Sequence, residues 1–228
     1  MEYLPNGITL DLCDGAFPLS TDSMLLGHFV RLRRNAQVLD LGSGCGTLGL
    51  LLCGTDESCC VTGIEISDTA HTAAEENIRR NALSARLKSI CRDLRDLPDE
   101  FIGRFHCCVS NPPYFSGGPA SKHTPLARRD DYCAPDELCR TAAKALQYGG
   151  DFYLVHKPEK LAQLIASGAG AGLEAKNLIL IRHKEGGPIT LILLQMRKGG
   201  KPGLQIKEHC LFDSLGDPTV YYREVYHM

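Results

Sequence analysis

Seven short runs rich in Val, Ile and Leu alternate with stretches of helical character, and no other feature constrains the fold as tightly. Residues 38–41, 60–66, 86–91, 105–110, 151–156, 173–182 and 188–196 read as strands. A helix starts at Thr47 and Ser67 caps another that runs to about Asn81. Pro135-Asp136-Glu137 opens a third that stops near Gly149-Gly150, and Pro158 opens a fourth. Before the first strand, Ser20-Thr21-Asp22 caps a helix bearing Met24, Leu25, Phe29 and Leu32. Such alternation folds into a largely parallel sheet with helices on both faces. The expectation is an α/β three-layer sandwich around a mostly parallel seven-stranded sheet, its last two strands a hairpin.

At the usual ~150 residues per domain, a chain of 228 residues makes one domain with trimmings. The expected partition is an N-terminal extension and helix over 1–35, a sheet core over 36–198 and a C-terminal tail over 199–228. The tail carries Tyr221, Tyr222 and Tyr226, read as packed rather than as base-stacking. With 43% hydrophobic and 23% charged residues the chain can bury a core, which excludes wholesale disorder. The net charge of −2 excludes a protein that coats nucleic acid by bulk charge, though a local basic patch stays compatible. No apolar run approaches the ~18 residues of a membrane span, and Met1-Glu2-Tyr3 does not open a secretory signal. The eleven cysteines form no Cys-x-x-Cys pair, so they read as small hydrophobes in a reducing cytoplasm, and no metal is expected.

The first chemical motif is Asp40-Leu41-Gly42-Ser43-Gly44-Cys45-Gly46-Thr47, a buried strand running into three alternate glycines and then a helix. Glycine is wanted where the backbone turns tightly and approaches a ligand. In an open parallel sheet that ligand lies beyond the carboxyl ends of the strands. Glu65 ends the second strand, where a carboxylate accepts from both hydroxyls of a ribose. Asp93 follows the third strand, placed to receive an adenine amino group. The set reads as a site for an adenosine-type cofactor. Residues 44–49 also satisfy the dinucleotide pattern G-x-G-x-x-G, but late after the strand and with Asp40 before it. A doubly negative pyrophosphate avoids that carboxylate, whereas a cationic sulfonium tolerates it. D-x-G-x-G-x-G resembles the first motif of class I S-adenosylmethionine (SAM) methyltransferases. That resemblance implies a Rossmann-like core and SAM as cofactor, with Asp40, Gly42, Gly44 and Gly46 shaping its bed.

The second motif is Ser110-Asn111-Pro112-Pro113-Tyr114, just after the fourth strand. Two prolines fix the backbone and orient the Pro112 carbonyl, and Asn111 adds a side-chain carbonyl. Two acceptors aimed at one spot hold both hydrogens of a planar amine. Its delocalised lone pair then localises as the nitrogen pyramidalises, so the site stabilises charge that develops only in the transition state. Tyr114 offers a face on which a ring stacks.

Asn-Pro-Pro-Tyr in this position resembles the amino-group methyltransferases, which act on adenine N6, cytosine N4, guanine N2 or a protein glutamine amide. Residues 17–26, Phe-Pro-Leu-Ser-Thr-Asp-Ser-Met-Leu-Leu, resemble the opening of bacterial tRNA adenine-N6 methyltransferases, the group that modifies valine tRNA. So do Glu76-Asn77-Ile78-Arg79-Arg80-Asn81 and the stretch 152–161. One departure is Leu12-Cys13-Asp14-Gly15-Ala16, where that group often has Gln and an aromatic-basic pair, which leaves the exact tRNA unassigned.

The resemblance implies N6-methyladenosine formation in a tRNA, an RNA modification of tRNA processing in the cytoplasm. It implies Asn111, Pro112 and Tyr114 as catalytic residues, Pro113 and Tyr114 against the substrate, and Asn111 against the cofactor as well. Thr21 either lines the cofactor pocket or caps its helix. Lys122, Arg128 and Arg129 lie beside the expected substrate mouth, where they either meet a phosphate backbone or are solvated. The other readings are methylation of a glutamine amide or of guanine N2 in ribosomal RNA, and an inactive SAM- or RNA-binding subunit.

Overall fold

The computed structural model describes residues 2–4, 7–13, 20–113 and 134–227. Two short strands, β1 (Glu2–Tyr3) and β2 (Thr9–Leu10), pair with each other, and α1 (Thr21–Phe29) follows. The alternating part runs β3 (Gln37–Leu41), α2 (Thr47–Thr55), β4 (Cys60–Glu65), α3 (Asp68–Arg80), β5 (Leu87–Cys91), β6 (Phe105–Ser110), α4 (Pro135–Ala145) and β7 (Leu146–His156). A 3-10 turn at Pro158–Lys160 leads into α5 (Leu161–Gly170), and the chain closes with β8 (Leu173–Lys184), β9 (Ile189–Lys198), β10 (Gln205–Phe212) and α6 (Val220–Tyr226).

One sheet of eight strands has the order β10-β8-β9-β7-β6-β3-β4-β5. All neighbours are parallel except β9, which runs antiparallel to β7 and β8. The seven-stranded expectation is therefore short by one: the tail supplies β10 beside β8. The sheet separates two cores. On one face Val38, Val61, Cys107 and Tyr153 pack with residues of α1, α2, α3 and α6. On the other, Leu39, Ile64, Cys108 and Phe152 pack with α4 and α5. The alternation sends the adjacent Cys107 and Cys108 to opposite faces as small buried hydrophobes. The ten described cysteines are free.

The tail tyrosines pack. Tyr221 stacks on His209 at 4.0 Å and Tyr222 lies 4.9 Å from Phe212, which fixes α6 against β10, while Tyr222 and Tyr226 stack within the helix at 4.4 Å.

The N-terminal segment is held by α3. Asn81 Nδ2 donates to the Thr9 carbonyl (2.7 Å) while its Oδ1 accepts the Thr9 N–H (2.9 Å). Asn77 does the same for Asp11, at 2.8 Å each way. Residues four apart on a helix rise ~6 Å, and residues two apart on an extended segment ~6.6 Å, so two amides on one helix face imitate a partner strand. Asn77 is fully buried, and its Nδ2 also donates to the carbonyl of Cys45 in the glycine loop (3.0 Å). Asn77→Ala removes three hydrogen bonds to the backbone of Asp11 and Cys45 and is expected to destabilise the protein by about 2 kcal/mol or more. Asn81→Ala, at a half-buried position, is expected to cost less. Denaturant midpoints check the order, and an equal or larger loss at Asn81 contradicts it.

Candidate active site

Four parallel strands bring the expected site residues to one edge of the sheet. Asp40 and Gly42 stand at the end of β3, Glu65 at the end of β4, Asp93 just past β5 and Asn111 just past β6. The turn after β3 is possible because Gly42, Gly44 and Gly46 all take positive φ (73°, 54° and 87°), which side chains rarely allow. Gly42 and Ser43 donate to the Ile64 carbonyl (2.9 and 3.0 Å), pinning the loop to β4. Glu65 completes it, accepting from the Gly44 N–H and the Ser67 N–H, both at 2.8 Å. A Cβ added at Gly42 or Gly44 meets nothing within 4 Å, so the loop borders open space.

Asp40 lies under this loop, 1% exposed, with no hydrogen-bond partner for either carboxyl oxygen among the described residues. The buried Ser43 hydroxyl is also unpartnered there. Burial pushes the Asp40 carboxyl from 3.8 up to about 8, and the nearby Glu65 carboxylate adds to the rise. The Gly49 N–H opposes it by less than either.

Asn111 sits at the same edge. Its Nδ2 donates to Ser23 Oγ on α1 at 3.0 Å, and Ser110 Oγ beside it donates to the Leu41 carbonyl at 2.8 Å. Pro112 is buried and Pro113 exposed. Tyr114, Lys122, Arg128 and Arg129 lie outside the described residues.

Two expected contacts are occupied otherwise. The Asp93 carboxylate takes a forked pair of hydrogen bonds from Arg95 (Nε at 3.0 Å, Nη2 at 2.6 Å), which holds its pKa below the usual carboxylate range. Ser20, not Thr21, caps α1, accepting from the Ser23 N–H. Thr21 Oγ1 instead accepts from Tyr226 of α6 at 3.1 Å. Ser23 is the site residue that the sequence reading missed. A Ser next to a helix cap reads as part of the cap, and its partner lies 88 positions away.

A family model described as the methyltransferase small domain matches residues 19–168. The chain belongs to the methyltransferase small domain family. A "tRNA1(Val) (adenine(37)-N6)-methyltransferase" of Actinobacillus pleuropneumoniae serotype 7 is 30% identical over 96% of this methyltransferase and 91% of its own length. One of the same name from Bacteroides fragilis is 30% identical over 76% of this chain and 74% of its own. Among solved structures, a predicted O-methyltransferase of Agrobacterium tumefaciens superposes with TM-score 0.76 at 22% identity, covering 91% of this chain and 96% of that one. A geranyl diphosphate C-methyltransferase of Streptomyces coelicolor with bound S-adenosyl-L-homocysteine has TM-score 0.57 at 12% identity, over 76% and 75%. These likenesses show the class I, Rossmann-like fold.

S-adenosylmethionine is the cofactor of this methyltransferase. The residues present fit it: the Glu65 carboxylate and the buried Asp40 acid beside open glycine backbone suit a molecule of net positive charge, and the Asp40 oxygens lack a hydrogen bond among the described residues. Among the described residues no group of three His, Cys, Asp or Glu is placed to hold a metal, and no helix is long and apolar enough to cross a membrane.

The Asp40 carboxyl has a folded pKa above its unfolded one. Its contribution to stability is therefore complete below pH 3.8 and is lost as the pH rises to about 8. Across that window the ligand-free wild type is expected to lose thermal stability relative to Asp40→Asn, which does not titrate. A difference in Tm that stays constant with pH contradicts a buried, proton-binding Asp40.

Proposed function

We propose that this methyltransferase forms N6-methyladenosine in a tRNA, with chain 1–228 acting as a single domain in the cytoplasm. The observation that carries the reading is the placement of Asn111-Pro112-Pro113 directly after β6, on the edge where Asp40, Glu65 and the glycine loop converge. The name borne by relatives aligned over nearly the whole chain selects adenine in tRNA among the amines such a site accepts.

The bed is Asp40, Gly42, Gly44 and Gly46, with Glu65 for the ribose. Asp93 reaches the adenine end by exchanging its Arg95 partner, and Thr21 borders the pocket through the hydroxyl that α6 holds. Bound SAM supplies a methyl group already activated on a sulfonium. The target adenine leaves its stack, enters beside Pro113 and lies against Tyr114. Asn111 Oδ1 and the Pro112 carbonyl accept the two N6 hydrogens. They favour the pyramidal nitrogen and stabilise the positive charge that builds on it. No separate general base is required, since the amine turns acidic as it is methylated and gives its proton to solvent. Lys122, Arg128 and Arg129 meet the phosphate backbone.

The test is methyl transfer from isotope-labelled SAM to bulk tRNA from cells lacking this gene, with nucleosides identified by mass spectrometry. Labelled N6-methyladenosine is expected, and Asn111→Ala is expected to lower the rate roughly 10²- to 10³-fold. Label in ribosomal RNA or on protein glutamine, with none on tRNA, overturns the substrate.

A further inference from the structure

The Asn111 amide works in the proposed reaction in only one of its two orientations. Its oxygen is the acceptor for the substrate amine, and a flipped amide presents two donors to two donors. Something must fix the flip. The next residue is proline, which restricts the backbone of Asn111 but does not set the last torsion of its amide. The structure supplies the constraint from α1. Ser23 Oγ lies 3.0 Å from Asn111 Nδ2, and Ser23 is 7% exposed, so this contact is shielded from competing water.

The hydroxyl is itself held. Ser20 Oγ accepts from the Ser23 N–H at 3.3 Å and lies 3.4 Å from Ser23 Oγ. A hydroxyl donates as well as accepts, so its proton decides the flip: directed at Ser20 Oγ, it leaves Ser23 Oγ as the acceptor for Asn111 Nδ2. On the next turn of α1, Gly27 permits close approach to α2, where a Cβ would lie 3.4 Å from Leu51. With Nδ2 engaged by α1, Oδ1 is the end of the amide turned away from that helix.

We propose that Ser23 is a positioning residue for methyl transfer: its hydroxyl fixes the Asn111 amide with the carbonyl oxygen toward the substrate amine. The inference rests on the assignment of Asn111 as the amine acceptor. Ser23 touches neither substrate nor cofactor in this account; it acts through Asn111.

The experiment is single-turnover methyl transfer to bulk tRNA from cells lacking the gene, at saturating SAM, with SAM affinity and the tRNA concentration dependence measured in parallel. Ser23→Ala is expected to lower the rate roughly ten- to a hundredfold, the penalty of a misplaced reacting group, with SAM affinity and apparent tRNA KM unchanged. Ser23→Thr keeps the hydroxyl and is expected to restore most of the rate. In an Asn111→Ala background, Ser23→Ala is expected to have no further effect, because the group it positions is gone. A wild-type rate in Ser23→Ala, while Asn111→Ala is impaired, overturns the positioning role alone. So does an equal loss from Ser23→Ala in both backgrounds, which marks a merely structural part. A wild-type rate in Asn111→Ala overturns the acceptor assignment and the positioning role together.

Discussion

A single buried amide joins the parts of this molecule that a parallel sheet alone leaves apart. Asn77 binds the backbone of Asp11 on one side and the glycine-loop carbonyl of Cys45 on the other. Its side chain is buried and makes three hydrogen bonds, so its removal is costly. The N-terminal segment, α3 and the turn after β3 therefore move as one. Cys13 Sγ rests 3.5 Å from Cys45 Sγ along the same seam. A segment outside the sheet is thereby tied to the glycine loop.

The sheet contributes position and the loop contributes charge. Parallel strands deliver Asp40, Glu65 and Asn111 to one edge from three separate parts of the chain. Burying Asp40 beside a second carboxylate, with only the weak opposing effect of the Gly49 N–H, disfavours its charged form in the ligand-free fold. It makes physical sense in a site whose occupant brings positive charge. The same edge carries Asn111, the proposed amine acceptor, so the proposed cofactor bed and substrate mouth adjoin because β3 and β6 do.

Much of this was legible in the sequence. Phe105–Ser110 stands as expected, Ser67 caps α3, and β8 and β9 form the expected hairpin, because strongly apolar runs and capping residues act locally. The misses share a cause, which is dependence on distant partners. Helix α4 ends at Ala145 rather than near the glycines because Leu146 turns directly into β7, which pairs with β6. β10 went unseen because an edge strand with four exposed residues at its start reads as polar tail. Glu65 and Asp40 were visible as chemistry. The Arg95 pairing of Asp93 and the Ser23 contact of Asn111 were not, since neither leaves a periodic trace. The i, i+4 pair Asn77 and Asn81 was noted only as a resemblance. Two amides on the inner face of a helix were the available sign that something extended lies across it.

We infer that SAM binds around a buried acid, Asp40, that stays protonated until the cation arrives. Calorimetric titration of SAM in two buffers of different ionisation heat measures the protons exchanged. At pH 7, below the Asp40 value of about 8, wild type is expected to release close to one proton per SAM bound, and fewer as the pH rises through that value. Asp40→Asn is expected to release none from this group. Binding heats of the wild type that are the same in both buffers contradict the account.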